Sequence, residues 1–417
     1  MPLIKRIVSL IFVMGLLKSL VYIAPLGINE VVDSIKDFGT FEYALNLGQT
    51  LMGLFSMGFA GTYAYFILKL GKVNLKPIFH FHFILLTSLL VLTALLIPGV
   101  LGNIYFGAIV LGVAFGDQIL LSGVVKLSGK NKTSVFLDTG VYIIMTLIAV
   151  GAYFDLFNFS LKLWFSSVLL LLVLTSVFYH FKNLDNWQKI NKEDVYEVYK
   201  YGGLIVIAGP LLVLITSNTR LYIEYFSTFE NVGLYSFFFR LTSMVLIFYR
   251  VFGILLFRKI FVDDHIILDK YYSLIIAGLF IFNLFLFFGL PYLLMGRYEQ
   301  FTETYESNRF LFLLCFFQVS FWINSSLFEP ILQRENKMKF FIFLLLVFLF
   351  LMLVSLFLLD FSNLITLESI VWLNAFIIFL LFMGQHWILW NNKIIYKKSL
   401  IAHSIIGITF LSTLFYF

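Results

Sequence analysis

Three arginines, Arg220, Arg240 and Arg250, and one lysine, Lys18, stand inside stretches otherwise built from Leu, Ile, Val and Phe. A cation at hydrocarbon depth costs about 2.5–3.5 kcal/mol on insertion scales. A chain that keeps such groups turns them toward a bundle interior or a watery cavity. Arginine's planar fork matches phosphate and carboxylate oxygens in bidentate fashion. Arg240 and Arg250 would stand about 15 Å apart along a helix axis, so the cations sit at more than one depth and could relay an anionic group across the membrane. Arg220 and Arg250 lie near helix ends, where snorkelling to the headgroups is the competing explanation. Arg240 and Lys18 are harder to explain that way.

The acidic counterparts are Asp117 in the run FGDQ, Asp138 and Glu329. A carboxylate in a low-dielectric interior can carry a proton or bind Na⁺, or it can be the fixed partner of a cavity cation. Asp117 and Glu329 are the ion-coupling candidates, and the coupling ion would be H⁺ or Na⁺. Two polar stripes follow helical spacing. One holds Asn46 and Gln49; the other holds Gln318 and Ser325 and ends at Glu329-Pro330. Each could line a cavity or glue neighbouring helices together. Gly209-Pro210 falls in the middle of an apolar run, and proline there removes a backbone hydrogen bond. The pair is therefore a candidate hinge.

Signals for an enzyme are poor. The turn Asp263-Asp264-His265 reads as a charged loop, and His80 and His82 are too close in sequence to share a helical face. No phosphate loop, metalloprotease helix or serine elbow is present, so no catalytic residue, metal or cofactor is expected. The single cysteine, Cys315, lies in an apolar run as an inert packed thiol. No cleavable signal peptide and no basic face for nucleic acid are evident.

These residues need helices to hold them. The 417-residue chain is 61% hydrophobic and 12% charged, against about a quarter charged in a soluble domain. Repeated apolar runs of about 18 or more residues predict an all-α polytopic membrane protein. The spans fall near residues 7–24, 42–68, 78–97, 104–125, 135–154, 161–181, 201–222, 233–256, 271–295, 310–332, 340–359 and 370–390, and a last run over 400–417 predicts a thirteenth helix. Most of the 29 Lys+Arg collect on one side when the spans alternate. The positive-inside bias then puts the N-terminus in the cytoplasm. The layout is an N-lobe over 1–181, a cytoplasmic linker over 182–199, a C-lobe over 200–390 and a C-terminal segment over 391–417. A weak repeat aligns DFGTFEYALNLGQ with NVGLYSFFFRLTS, pairing Gly39 with Gly233 and Phe41 with Tyr235. Two six-helix lobes in parallel pseudo-repeat would enclose a central cavity.

The stretch DFGTFEYALNLGQTLMGLFSMGFAGTYAYFILK resembles the N-terminal signature of polysaccharide flippases. These belong to the multidrug/oligosaccharidyl-lipid/polysaccharide exporter superfamily. YGGLIVIAGPLLVLITSNTRLYIEYF with ENVGLYSFFFRL resembles the start of that family's second lobe. Gly39, Phe41, Gly58, Gly209-Pro210, Ser217, Arg220, Gly233 and Tyr235 carry the likeness. It implies a monomeric flippase of the bacterial inner membrane that moves an undecaprenyl-pyrophosphate-linked glycan (an O-antigen, capsule or exopolysaccharide unit) to the outer leaflet by alternating access. It also implies membrane lipids and other membrane proteins of polysaccharide assembly as partners. The pyrophosphate would sit on Lys18, Arg220, Arg240 and Arg250. Acidic residues used for proton coupling elsewhere in the superfamily have no clear equivalent here. A drug antiporter of the same superfamily and a membrane-embedded polymerase or acyltransferase are the alternative readings.

Overall fold

Long apolar runs broken by Gly, Asp and Asn produce long helices with short interruptions. The computed structural model describes residues 2–63, 66–67, 70–127, 131–184, 190–216, 218–246, 249, 260, 263–294, 299–335 and 337–416. Among them every regular element is helical. The helices are α1 Pro2–Asn29, α2 Ile35–Phe55, α3 Phe59–Tyr63, α4 Lys76–Leu96, α5 Ile104–Leu127, α6 Asn131–Leu137, α7 Gly140–Tyr153, α8 Leu161–Thr175, α9 Lys192–Thr216, α10 Thr219–Phe226, α11 Phe229–Ser243, α12 His265–Leu294, α13 Glu299–Ser307, α14 Arg309–Arg334, α15 Met338–Phe361, α16 Leu367–Trp390 and α17 Lys397–Leu411. Seven helical stretches among the described residues are long and apolar enough to cross a membrane. The protein is a membrane-embedded helical protein.

Contacts group the chain into two compact units, Met1–Val213 and Leu214–Phe417. In the first, α2 lies along α5, α1 along α7 and α8 along α5. Glycines allow the α2–α5 approach: a Cβ on Gly48 would stand 2.6 Å from Leu111 Cβ, and one on Gly112 would stand 2.9 Å from Leu51 Cβ. Small residues bring backbones close where lipid supplies no hydrophobic drive between helices. In the second unit α14 packs along α16 and α11, α15 along α16, and α17 along α12. Asp269 of α12 accepts hydrogen bonds from Lys398 N (3.0 Å), Ser399 N (2.9 Å) and Ser399 Oγ (2.7 Å). That carboxylate caps the start of α17 and holds the C-terminal helix in place.

Several expected spans change at their ends or in their middles. α2 starts at Ile35 instead of 42, because Ser34 caps it by accepting from Asp37 N. It ends at Phe55, where Met57 (φ 46°) and Gly58 (φ 61°) take left-handed backbone. The expected span over 135–154 is interrupted between α6 and α7 at Asp138-Thr139. α9 begins at Lys192, inside the expected linker, since Asn191 accepts from Asp194 N at 2.7 Å and Asp194 accepts back from Asn191 N at 3.4 Å. The expected loop before α14 contains α13. The last run forms α17, followed by a 3₁₀ turn over Ser412–Tyr416.

The repeat pattern reaches further than the glycines. Thr228 caps α11 by accepting from Asn231 N, as Ser34 caps α2. The offset from Ser34 to Thr228 equals that from Gly39 to Gly233. Phe41 and Tyr235, at the same offset, are both fully buried.

Candidate functional site

In the first unit, deep polar side chains meet around two helix irregularities. The chain from Ser176 to His180 is π-helical, a local widening of the turn often found at functional positions. It carries His180 to Asp117 on α5, with His180 Nε2 at 2.6 Å from Asp117 Oδ1. Thr175 Oγ1 donates to Asp117 Oδ2 at 2.9 Å. The other edge of the same ring reaches α4, where His180 Nδ1 and His80 Nδ1 are 2.8 Å apart. Asp117, His180 and His80 are each at most 2% exposed. Asp117 was legible as an ion-coupling candidate. Its two histidines were not, because they come from α4 and from the end of the α8 span.

The second irregularity is the α6–α7 break. There Asp138 forms an ion pair with Lys18 of α1. Lys18 is thus held by a fixed carboxylate rather than standing in a row of open cations. A third break, at Met57-Gly58, leaves the Phe55 carbonyl without its helical donor. His82 Nε2 takes that place at 2.8 Å, and its Nδ1 accepts from Tyr199 Oη at 2.9 Å. Of the first polar stripe, Gln49 Nε2 donates to Tyr142 Oη at 2.6 Å, which is glue between α2 and α7. Asn46 is buried on the α2 face toward the core.

In the second unit the site forms at the α9–α10 break. The expected hinge at Gly209-Pro210 is not an interruption: α9 runs through Pro210 to Thr216. The Pro210 ring packs over Gly53, where an added Cβ would be 2.6 Å away. The chain breaks later, around Asn218, and side chains take up the freed carbonyls. Asn374 Nδ2 donates to Ile215 O at 2.9 Å and Tyr222 Oη donates to Leu214 O at 3.0 Å. Gln318 Nε2 donates to Thr219 Oγ1 at 2.7 Å and to Asn374 Oδ1 at 2.5 Å, while its Oε1 accepts from Tyr235 Oη at 3.0 Å. Gln318 is therefore structural glue.

Arg220 lies just after this break and is 2% exposed. Its Nε donates to Ser236 Oγ at 2.7 Å, and the guanidinium stands 5.4 Å from the Tyr235 ring centre and 5.0 Å from that of Phe239. At that distance an aromatic face attracts a cation. The burial argues against snorkelling. Arg240 is 5% exposed and lies one turn beyond Ser236 on the same face of α11. Two guanidiniums are thus buried along one strip of α11. Arg250 lies outside the described residues. Ser325 lends its carbonyl to Gln385 Nε2 at 3.1 Å, and Glu329 sits half-buried on α14.

The Asp263-Asp264-His265 turn is a docking point. His265 Nδ1 accepts from Tyr396 Oη at 2.8 Å, and Arg334 donates to the Asp263 carbonyl at 2.9 Å. Burial pushes the Tyr396 phenol well above its ordinary range, so its hydroxyl keeps the proton. No group of three or more His, Cys, Asp or Glu among the described residues could hold a metal ion. Cys315 is buried. Comparison of the chain with protein-family models, with curated proteins and with solved structures gives no match.

Proposed function

We propose that the protein is a membrane transporter that moves a lipid-linked anionic glycan, an undecaprenyl-pyrophosphate oligosaccharide, between leaflets by alternating access. The observation that carries this reading is the strip of α11 with Arg220 and Arg240 buried along it. Guanidiniums suit pyrophosphate oxygens by geometry and charge. Guanidiniums inside an apolar helical unit are costly to keep, and a chain that keeps them generally uses them. Both are closed off in this conformation, so an anion reaches them only when the unit opens. In the proposed arrangement the helices form two six-helix lobes around a central cavity in the bacterial inner membrane, with the N-terminus cytoplasmic.

The test is a sided flipping assay. Purified protein is reconstituted with undecaprenyl-pyrophosphate oligosaccharide, and access of a glycan-trimming enzyme on the far side is followed. Wild type should expose the glycan, and an Arg220→Gln/Arg240→Gln double variant of unchanged helicity should not. Full activity of the double variant would reject the anion site. A second reading, a proton-driven antiporter of small molecules, is favoured by the Asp117–His180–His80 chain in the first unit. Transport of a small organic cation in place of the glycan would select it.

A further inference from the structure

A nitrogen–nitrogen contact of 2.8 Å between His80 Nδ1 and His180 Nδ1 is a hydrogen bond only when one nitrogen carries the proton and the other offers a lone pair. Two bare nitrogens repel, and so do two N–H groups. The pair therefore holds a single proton between its Nδ1 atoms. On the far edge of the ring, His180 Nε2 faces Asp117 Oδ1 at 2.6 Å, while Asp117 Oδ2 is taken by Thr175 Oγ1.

Two proton inventories satisfy every one of these contacts. In the first, His180 is neutral with its proton on Nε2, its bare Nδ1 accepts from His80 Nδ1–H, and His80 Nε2 is bare. In the second, His180 is an imidazolium donating from both nitrogens, and His80 accepts at Nδ1 and carries its proton on Nε2. Moving the Nε2 proton of His180 onto Asp117 gives a tautomer of the second with the same proton count. The inventories differ by one proton. It enters on the lone pair of His80 Nε2; the His80 Nδ1–H bond breaks as the His180 Nδ1–H bond forms. The charge of the group goes from −1 to zero, and no heavy atom needs to move. A second added proton would place N–H groups against each other across the same contact.

We propose that Asp117, His180 and His80 form a one-proton site, filled and emptied at His80 Nε2, and that this proton is the coupling ion of transport; the second half rests on the transport reading above. The surroundings fit. Lys76 stands one turn earlier on α4. Tyr179 flanks His80 with ring centres 5.7 Å apart. His82 is engaged separately with Tyr199 and the Phe55 carbonyl. Both Asp117 oxygens are engaged and the next atoms are ring nitrogens, an arrangement suited to H⁺ and poor for Na⁺, a hard cation that takes oxygen ligands.

The site is tested by ¹⁵N-histidine NMR of the full-length protein in lipid nanodiscs across a pH series, with resonances assigned by single-histidine variants. One titration step is expected, in which His180 gains its second N–H while His80 changes from Nδ1–H to Nε2–H. His180→Gln should abolish the tautomer change at His80. Independent steps at the two rings, imidazolium at both, or no tautomer change would overturn the site. The coupling role is read in the flipping assay under an imposed pH gradient and, separately, an equal Na⁺ gradient. For one proton per cycle the limiting leaflet ratio changes about tenfold per pH unit, and His180→Gln makes it indifferent to pH. Wild-type flipping that ignores the pH gradient would overturn the coupling role and leave the transport reading standing. No wild-type flipping under any gradient would remove the transport reading and the coupling role together, with the NMR result still deciding the site.

Discussion

Replacing Asn374 with alanine tests whether side chains hold the α9–α10 break open. Asn374 donates to Ile215 O at 2.9 Å and accepts from Gln318 Nε2 at 2.5 Å and Thr219 Oγ1 at 3.1 Å. In the variant, Gln318 and Thr219 keep their mutual bond at 2.7 Å. The Ile215 carbonyl loses its donor, and the Thr219 hydroxyl loses its acceptor. The position is 1% exposed, so bulk water cannot stand in. An orphaned buried carbonyl costs about 1–3 kcal/mol, and the missing amide leaves a small cavity worth about 1 kcal/mol. Interhelical bonds in membranes average only about 0.6 kcal/mol, because the unfolded chain finds partners too. The orphan term therefore dominates, and a loss of about 2–4 kcal/mol is expected. SDS-driven unfolding in mixed micelles, followed by circular dichroism, measures it. Asn374→Asp should be worse than alanine, since it turns an oxygen toward the Ile215 carbonyl. A loss below about 0.5 kcal/mol, with the aspartate no worse, would refute the idea that this side chain holds the break.

Lys18→Ala should cost about 1–3 kcal/mol by stranding a half-buried Asp138, and Lys18→Ala/Asp138→Ala should recover most of it; the same unfolding assay gives the coupling energy. Gly48→Ala should destabilise by about 1–3 kcal/mol because two fixed Cβ atoms would collide. Gly209→Ala meets open space and should stabilise the helix by up to about 1 kcal/mol, while lowered flipping in that variant would show that α9 bends there during transport. Asp269→Ala removes the cap of α17 and should cost about 1–2 kcal/mol, with faster protease cleavage near Lys397. Arg220→Lys keeps the charge but loses the Nε bond to Ser236 and the planar fork; it should lower flipping sharply at unchanged expression, and wild-type rates would reject a role for the guanidinium fork.

Much of the helical layout was legible from hydropathy, because lipid leaves a chain little choice but long apolar helices. The ends and breaks were less so. Ser34 and Asn191 do carry cap signals, yet the polar residues after them outweighed these in a hydropathy reading. Pro210 was the obvious place for a break, but the helix continues through it and stops near Asn218. The difference lies in what distant residues supply. Asn374 and Tyr222 satisfy the carbonyls freed at the later position. No local pattern announces a donor on α16. His180 was invisible for the same reason: as one residue in FYHFKN it looks interfacial, and it gains meaning only when the π-turn aims it at Asp117.

The breaks and the deep charges belong to one physical problem. A helix interrupted inside a membrane exposes backbone carbonyls that no lipid can satisfy, and a charged side chain there lacks its water. Here each interruption is met by polar groups from elsewhere: His82 at Phe55, Lys18 at Asp138, Asn374 at Ile215. Arg220 follows the last of these breaks within the same short turn. The freed carbonyls and the buried guanidinium thus share one polar neighbourhood, which lowers the cost of keeping both. The same sharing makes these places easier to rearrange than the continuous apolar faces of α15, since a break can exchange one hydrogen-bond partner for another without exposing new hydrocarbon. A transporter needs such places where its charged groups are. On this argument, loss of Asn374 should impair flipping more than its cost in stability alone explains, whereas an equally costly Gly48→Ala at the α2–α5 contact should not.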